Sequence, residues 1–299
     1  MKNNIIVLMS TFNGEKFIRE QIESILAQEN VNIKLLVRDD GSTDKTLDIL
    51  NEYKNKGKLN YYIGKNLGPQ LSFMHLLQNA PYCEYYAFAD QDDVWLKDKL
   101  STAIKKLEDN ITKPALYFSQ TQLTDKYLTP QKSVIINPLL TFGEALIYKF
   151  IGGCTMVMNH KLRDCISDKL PSKMPMHDIW IYTFAMAINA FIFFDRTPHI
   201  LYRQHGNNTV GQGKGFIYEW KERFHHLISC PNERYNQARE LYNCYKDIIP
   251  ENNLNILETF LNGKNSFNKR IKILRNKEFR CANITTQVLF WIEVLLNKY

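Results

Sequence analysis

No run of residues in this chain approaches the roughly 20 apolar positions needed to span a bilayer. The apolar segment after Met1 is short and runs straight into a polar turn, so no secretory leader is expected. The cysteines Cys83, Cys154, Cys165, Cys230, Cys244 and Cys281 form no CxxC pair and no metal-finger spacing. That absence argues against a zinc-ribbon or disulfide scaffold and fits reduced thiols in the cytoplasm. Internal repeats and low-complexity linkers are absent too. The net charge is +7, yet the basic residues lack interleaved aromatics and any nucleic-acid-binding motif. No nucleic-acid partner is therefore expected.

What is present is a 299-residue chain, enough for one large α/β domain plus an appendage. Ile5 to Met9 is a short apolar run rich in β-branched residues and reads as a buried strand. It ends in the turn cluster Ser10-Thr11-Phe12-Asn13-Gly14, and an amphipathic helix follows with Phe17, Ile18, Ile22, Ile25 and Leu26 on one face. Ile33 to Val37 is a second strand, Leu59 to Ile63 a third and Tyr85 to Ala89 a fourth, with a helix carrying Leu47, Ile49, Leu50 and Tyr53 between the second and third. This alternation argues for an α/β fold with a mostly parallel central sheet covered on both faces. Ligands of such sheets sit beyond the carboxyl ends of the strands. Three polar clusters fall there: Thr11 to Glu15, Asp39 to Asp44 and Asp90 to Asp93.

The third cluster, Asp90-Gln91-Asp92-Asp93, concentrates three carboxylates at the end of an apolar strand. Their repulsion calls for compensation. A solvated acidic turn capping the next helix is one solution. A divalent ion carrying a diphosphate is the other, and oxygen ligands suit Mg2+ or Mn2+.

Ser-Thr-Phe-Asn-Gly-Glu near the start, Arg38-Asp39-Asp40-Gly41-Ser42-Thr43-Asp44, and Asp90-Gln91-Asp92-Asp93-Val94-Trp95 together resemble glycosyltransferase family 2. Met176-His177-Asp178-Ile179-Trp180 and Leu201-Tyr202-Arg203-Gln204-His205-Gly206-Asn207-Asn208 resemble its bacterial rhamnosyltransferase branch. The resemblance covers roughly residues 3 to 210. It implies the GT-A fold over residues 1–212, followed by a C-terminal helical region at 213–299. It also implies an inverting, metal-dependent transfer of a sugar, L-rhamnose from dTDP-β-L-rhamnose first, onto a lipid-linked glycan of a cell-surface polysaccharide. A UDP-hexose donor on the same fold is the nearest alternative. A non-catalytic sugar-nucleotide-binding subunit is another.

The resemblance also implies roles. Thr11, Glu15, Asp39, Asp40 and Asp90 would bind the nucleotide. Asp39 would accept a hydrogen bond from the pyrimidine imide, which selects uracil or thymine over cytosine. The same residues could equally build a tight turn and a helix start. Asp92 would ligate Mn2+ or Mg2+, with His205 as a further ligand. Asp93 would stand behind the metal or cap the next helix. Asp178 would be the general base for the acceptor hydroxyl, with His177 at the acceptor; a carboxylate at a helix start is otherwise an ordinary cap. Arg203 would pair with the diphosphate, a partner its fork geometry suits. Gly152 and Gly153 would approach the donor sugar. Asn207 and Asn208, beside Gly211 and Gly213, suggest a lid.

Charge is unevenly placed. Residues 1–210 carry 24 Lys and Arg against 22 Asp and Glu, whereas residues 211–299 carry 14 against 9. A basic segment, Lys264 to Arg280, precedes the apolar stretch Val288 to Leu296 with Trp291. This combination reads as an interfacial anchor on an anionic membrane. A helix packed on its own core, or pairing with a second copy as a homodimer, are the alternatives. The expected location is cytoplasmic, peripheral on the inner face of the bacterial membrane.

Overall fold

The computed structural model describes residues 2–133, 135–167, 169–173, 175–205, 229 and 231–299. A seven-stranded sheet forms the centre, in the order β3 (Asn60–Ile63), β2 (Val31–Asp39), β1 (Asn3–Thr11), β4 (Tyr85–Ala89), β8 (Val157–Asn159), β6 (Ala115–Ser119), β9 (Phe191–Asp195). Its pairings are parallel except those of β8, which runs antiparallel to both β4 and β6. A small second sheet orders β5 (Val94–Trp95), β10 (Ile200–Arg203) and β7 (Gln122–Thr124).

The period of two along β1 explains the layers. Ile5, Val7 and Met9 belong to one core and Ile6 and Leu8 to the other, all essentially inaccessible. A strand buried on both faces reads as a continuous apolar run. On the first face lie α1 (Ile18–Leu26), α2 (Thr46–Asn55) and α4 (Lys99–Leu107), through Ile18, Ile22, Leu50, Leu100 and Ile104. On the second lie α3 (Pro69–Asn79), α6 (His160–Ser167) and α7 (His177–Ala187).

The C-terminal helices share that second core. Leu241, Tyr245, Leu257, Phe260, Phe290 and Val294 are buried in the same cluster as Phe118 and Trp180. Tyr245 donates to the carbonyls of Ile166 and Lys169, and Asn253 to those of Met186 and Ala187. The stretch expected at an interface is divided: Leu289, Phe290 and Val294 of the helix Ile284–Leu295 are buried, whereas Leu295 and Leu296 at its end are exposed. Among the described residues no helix is long and apolar enough to cross a membrane.

Candidate active site

In-register pairing brings the polar clusters together. Thr11 faces Asp39 across β1 and β2, and Met9 faces Ala89 across β1 and β4. Hydrogen bonds then tie the loops. Asn13 N donates to Ser42 Oγ (2.9 Å), Gly14 N to Thr46 Oγ1 (2.8 Å) and Lys45 N to Glu15 Oε2 (3.0 Å). Thr11 Oγ1 and Phe12 N both donate to Gln91 Oε1, at 2.6 and 2.9 Å.

Beyond these strand ends lies a cavity of about 1210 Å3. Glu15, Asp40, Asp90, Asp92, Gly152 and Gly153 border it, as do His177, Asp178 and His205. Thr11, Asp39 and Arg203 are not on its wall.

Asp39 is turned to its own loop. Its Oδ2 accepts from Gly41 N (3.0 Å) and Ser42 N (2.8 Å), and its Oδ1 from Ser42 Oγ (2.5 Å). Gly41 has φ +88°, where a side chain would be strained. Asp40 is the member of the pair on the cavity wall. It accepts from Leu67 N and Gly68 N, both at 2.9 Å, and forms an ion pair with buried Arg38. The turn expected at this position exists, and Asp39 builds it.

Arg203 ends β10 and is buried beneath the acidic loop. Nε donates to the Asp92 carbonyl (2.8 Å), Nη1 to the Lys126 carbonyl (2.7 Å) and Nη2 to Glu20. The guanidinium lies 4.7 Å over the Phe17 ring. The backbone N of Arg203 donates to Asp93 Oδ1 at 3.1 Å, so Asp93 is braced from below instead of capping α4. Protein acceptors surround this fork, and the guanidinium clamps the acidic loop from below. Two residues on, His205 Nε2 lies 2.7 Å from Asp92 Oδ2, and its ring stacks on Phe17 at 4.8 Å.

Behind Asp92 the titratable groups crowd together. Burial, then the charges of Asp92 and Asp178, push the Asp90 carboxyl up to about 7. Burial also raises Asp93 and the Cys154 thiol well above their ordinary ranges. It lowers Lys99 to about 7; this ammonium sits 3.7 Å from the Trp95 ring centroid.

Asp178 lies in the first turn of α7. Its Oδ2 accepts from Gly153 N (3.0 Å) and its Oδ1 from Ile179 N (2.7 Å). His177 stacks on Phe73 at 4.2 Å and meets Phe88 edge-on. Burial lowers its pKa, so the ring is neutral at pH 7. A Cβ on Gly153 would stand 2.4 Å from His177 Nε2, so this position has room only for glycine.

The donor set suits a hard divalent ion. Asp92 Oδ2 and His205 Nε2 converge, ligand atoms of Asp90, Asp93 and Cys154 lie within 4.8 Å of one another, and buried Asp93 Oδ2 has no hydrogen-bond partner among the described residues. Carboxylate oxygens are donors that both Mn2+ and Mg2+ accept, and an imidazole beside them favours Mn2+ of the two.

Sequence reasoning missed Gln91, the loop from Gly64 to Gly68, Lys126, Phe150 and Ile151, and gave Cys154 no site role. Only the Gly68-Pro69 start of α3 carries a recognisable signal, proline at a first helical turn. Gly206, Asn207, Asn208, Gly211 and Gly213, and with them the suggested lid and the boundary at 212, lie outside the described residues.

Residues 6–166 match the family model for Glycosyl transferase family 2. Over 230 residues the chain is 32% identical to the dTDP-rhamnosyl transferase RfbG of Shigella flexneri, covering 71% of this chain and 77% of that protein. It is 26% identical over 236 residues to the putative teichuronic acid biosynthesis glycosyltransferase TuaG of Bacillus subtilis, covering 75% and 90%. Among solved structures it resembles residues 1–349 of S. aureus TarS in complex with UDP-GlcNAc (TM-score 0.59, 19% identity, 98% and 80% covered). It also resembles the mannosyltransferase PcManGT from Pyrobaculum calidifontis in complex with GDP-Man and Mn2+ (TM-score 0.55, 15% identity, 100% and 81% covered).

Proposed function

The chain belongs to glycosyl transferase family 2 and has the GT-A fold, and from that premise we propose that it moves L-rhamnose from dTDP-β-L-rhamnose onto a hydroxyl of a lipid-linked glycan, with inversion at the anomeric carbon. The observation that carries this reading is one cavity lined by Glu15 and Asp40 from the loops after β1 and β2, by Asp90 and Asp92 from the loop after β4, by His205 after β10, and by Asp178 at the start of α7. Nucleotide, diphosphate and acceptor would be received in that order. The likeness to a dTDP-rhamnosyl transferase supports the donor. The likeness to a teichuronic acid enzyme supports a cell-surface polysaccharide as product.

In this reading the acceptor oxygen attacks the anomeric carbon as the bond to the diphosphate breaks. The bonding electrons leave with the nucleoside diphosphate, and the acceptor proton passes to Asp178. Two backbone N–H groups fix the orientation of that carboxylate, which a general base requires. His177, neutral and wedged against Phe73, offers ring nitrogens beside it. Asp92 and His205 would hold the divalent ion, with Asp90 beside them. When bound, such an ion neutralises charge on the departing diphosphate. Arg203 keeps Asp92 in place. Gly152 and Gly153 allow the donor sugar to approach backbone. The product's lipid carrier places the enzyme at the inner face of the cell membrane.

Asp178→Asn is isosteric and tests the base. Transfer is expected to fall about 10²–10⁴-fold, while calorimetry still finds dTDP bound. Wild-type turnover in that variant would remove Asp178 from the mechanism.

A further inference from the structure

In the stretch expected to touch a membrane, Val288 to Leu296, the core takes Leu289, Phe290 and Val294, Arg280 covers the Trp291 ring at 4.9 Å, and Leu295 and Leu296 at its end stay 47% and 57% exposed. A second surface also faces outward. The helix Phe267–Arg275 turns Ile273 inward and leaves Lys269, Lys272 and Arg275 exposed at every third position, with Phe267 55% exposed at its start. Lys277 is exposed in the next turn, and Ile284 is 70% exposed beyond it. Glu278 is the acid among them.

This basic and apolar segment is joined to the cavity mouth. Lys277–Phe279 packs on the short helix α5 (Phe142–Ala145) so closely that a Cβ on Gly143 would meet the Glu278 carbonyl oxygen at 1.9 Å. Glu144, fully buried, makes the joint. Its Oε1 accepts from Ala282 N (2.8 Å), and its Oε2 accepts from Leu139 N (2.5 Å) and Leu140 N (3.0 Å). Leu139 is 51% and Ile135 79% exposed, while Ile136 between them lines the cavity. Large apolar side chains held outward beside an active-site mouth and next to a row of cations are unusual for a surface that meets only water.

We propose that this surface, Lys269, Lys272, Arg275 and Lys277 with Phe267 and Ile284, continued by the lip Ile135 and Leu139, docks on an anionic lipid bilayer. The inference rests on the lipid-linked acceptor reading and adds how the acceptor arrives. The cations meet lipid phosphates, the apolar residues enter the headgroup boundary, and the glycan reaches Asp178 past the 135–140 lip. Charge complementarity selects this occupant over a second copy of the chain, whose same face would repel it.

The test is co-sedimentation of the full chain with phosphatidylglycerol–phosphatidylcholine vesicles and with phosphatidylcholine alone. Each basic residue at an anionic surface strengthens binding about fivefold, so Lys269→Gln, Lys272→Gln and Arg275→Gln together should weaken it about 100-fold. High salt should do the same. Ile135→Ser with Leu139→Ser should lower transfer to a lipid-linked acceptor and leave transfer to a soluble glycoside unchanged. Calorimetry of dTDP binding on the same samples reports the nucleotide site separately. No vesicle binding with dTDP binding intact would overturn the docking inference and spare the transferase reading. Equal affinity for neutral vesicles, wild-type affinity in the triple variant, or a dimer that the triple variant dissolves would overturn it too.

Discussion

Arg203 offers the sharpest separation between two physical roles for one residue. If it is the clamp described above, replacing it disturbs the metal site from below. Arg203→Ala leaves the carbonyls of Asp92 and Lys126 without their donor. Each orphaned acceptor costs about 1–3 kcal/mol. The pair with Glu20 adds little, because the Glu20 side chain is 58% exposed and water screens it. The expected loss is therefore about 2–6 kcal/mol, or roughly 3–10 °C in melting temperature for a chain of this length. Arg203→Lys keeps the charge but cannot span three acceptors with one ammonium. It should fold, melt a few degrees lower and bind Mn2+ about 10–100-fold more weakly, the usual effect of removing a partner that orients a ligand. Counting free Mn2+ by spin resonance during a titration measures this directly. A contact between Arg203 and the diphosphate predicts something else: unchanged melting, unchanged Mn2+ affinity and a raised KM for the donor. That pattern in Arg203→Lys would refute the clamp.

Asp92→Asn should cut turnover on the order of 10³-fold and abolish the effect of added Mn2+, read by nucleotide release. Gly153→Ala should drive its new methyl into His177, lowering stability by about 1–3 kcal/mol and lowering acceptor transfer; a fully active, equally stable variant would contradict the packing. The folded metal-free protein holds a proton on Asp90 that the unfolded chain has already released between the ordinary carboxylate range and about pH 7. That contribution to stability is present at low pH and is lost as pH rises through about 7. A divalent ion replaces the proton, so Mn2+ should raise the melting temperature more at pH 8 than at pH 5. Thermal melts with Mn2+ and with EDTA at both pH values decide the sign.

The strands were legible where burial on both faces leaves an apolar run. Tyr85 to Ala89 is a strand over just that span, and β1 to β3 fall where expected, with β1 and β2 extended at both ends by polar residues such as Thr11 and Asp39 that pair in register. Of the second sheet only β10 was legible, as the apolar run Ile200 to Tyr202. Its partners, Val94–Trp95 and Gln122–Thr124, are two and three residues long and carry no periodicity, and their pairing is decided by tertiary contact. Antiparallel β8 was hidden for the same reason.

In the site, residue types pointed to chemistry and could not assign which neighbour bears it. Asp39 and Asp40 are adjacent in sequence, yet only the geometry after the strand end turns one to its loop and the other to the cavity. The Arg203 fork suits carbonyls as well as phosphates, and the Lys126 carbonyl it meets lies 77 positions away. The tail posed the same difficulty. Leu289 and Phe290 are as apolar in a core as at a membrane, and only packing places them inside.

The central claim is a donor bound between the acidic loops and cleaved next to Asp92. Nucleotide release from a panel of sugar nucleotides, with Mn2+ and with EDTA, tests it most directly, with water as the fallback acceptor. The account predicts slow dTDP release from dTDP-β-L-rhamnose that EDTA and Asp92→Asn both abolish. Release of UDP from a UDP-hexose alone would contradict the rhamnose donor. Release that persists in EDTA and in Asp92→Asn would contradict the site itself.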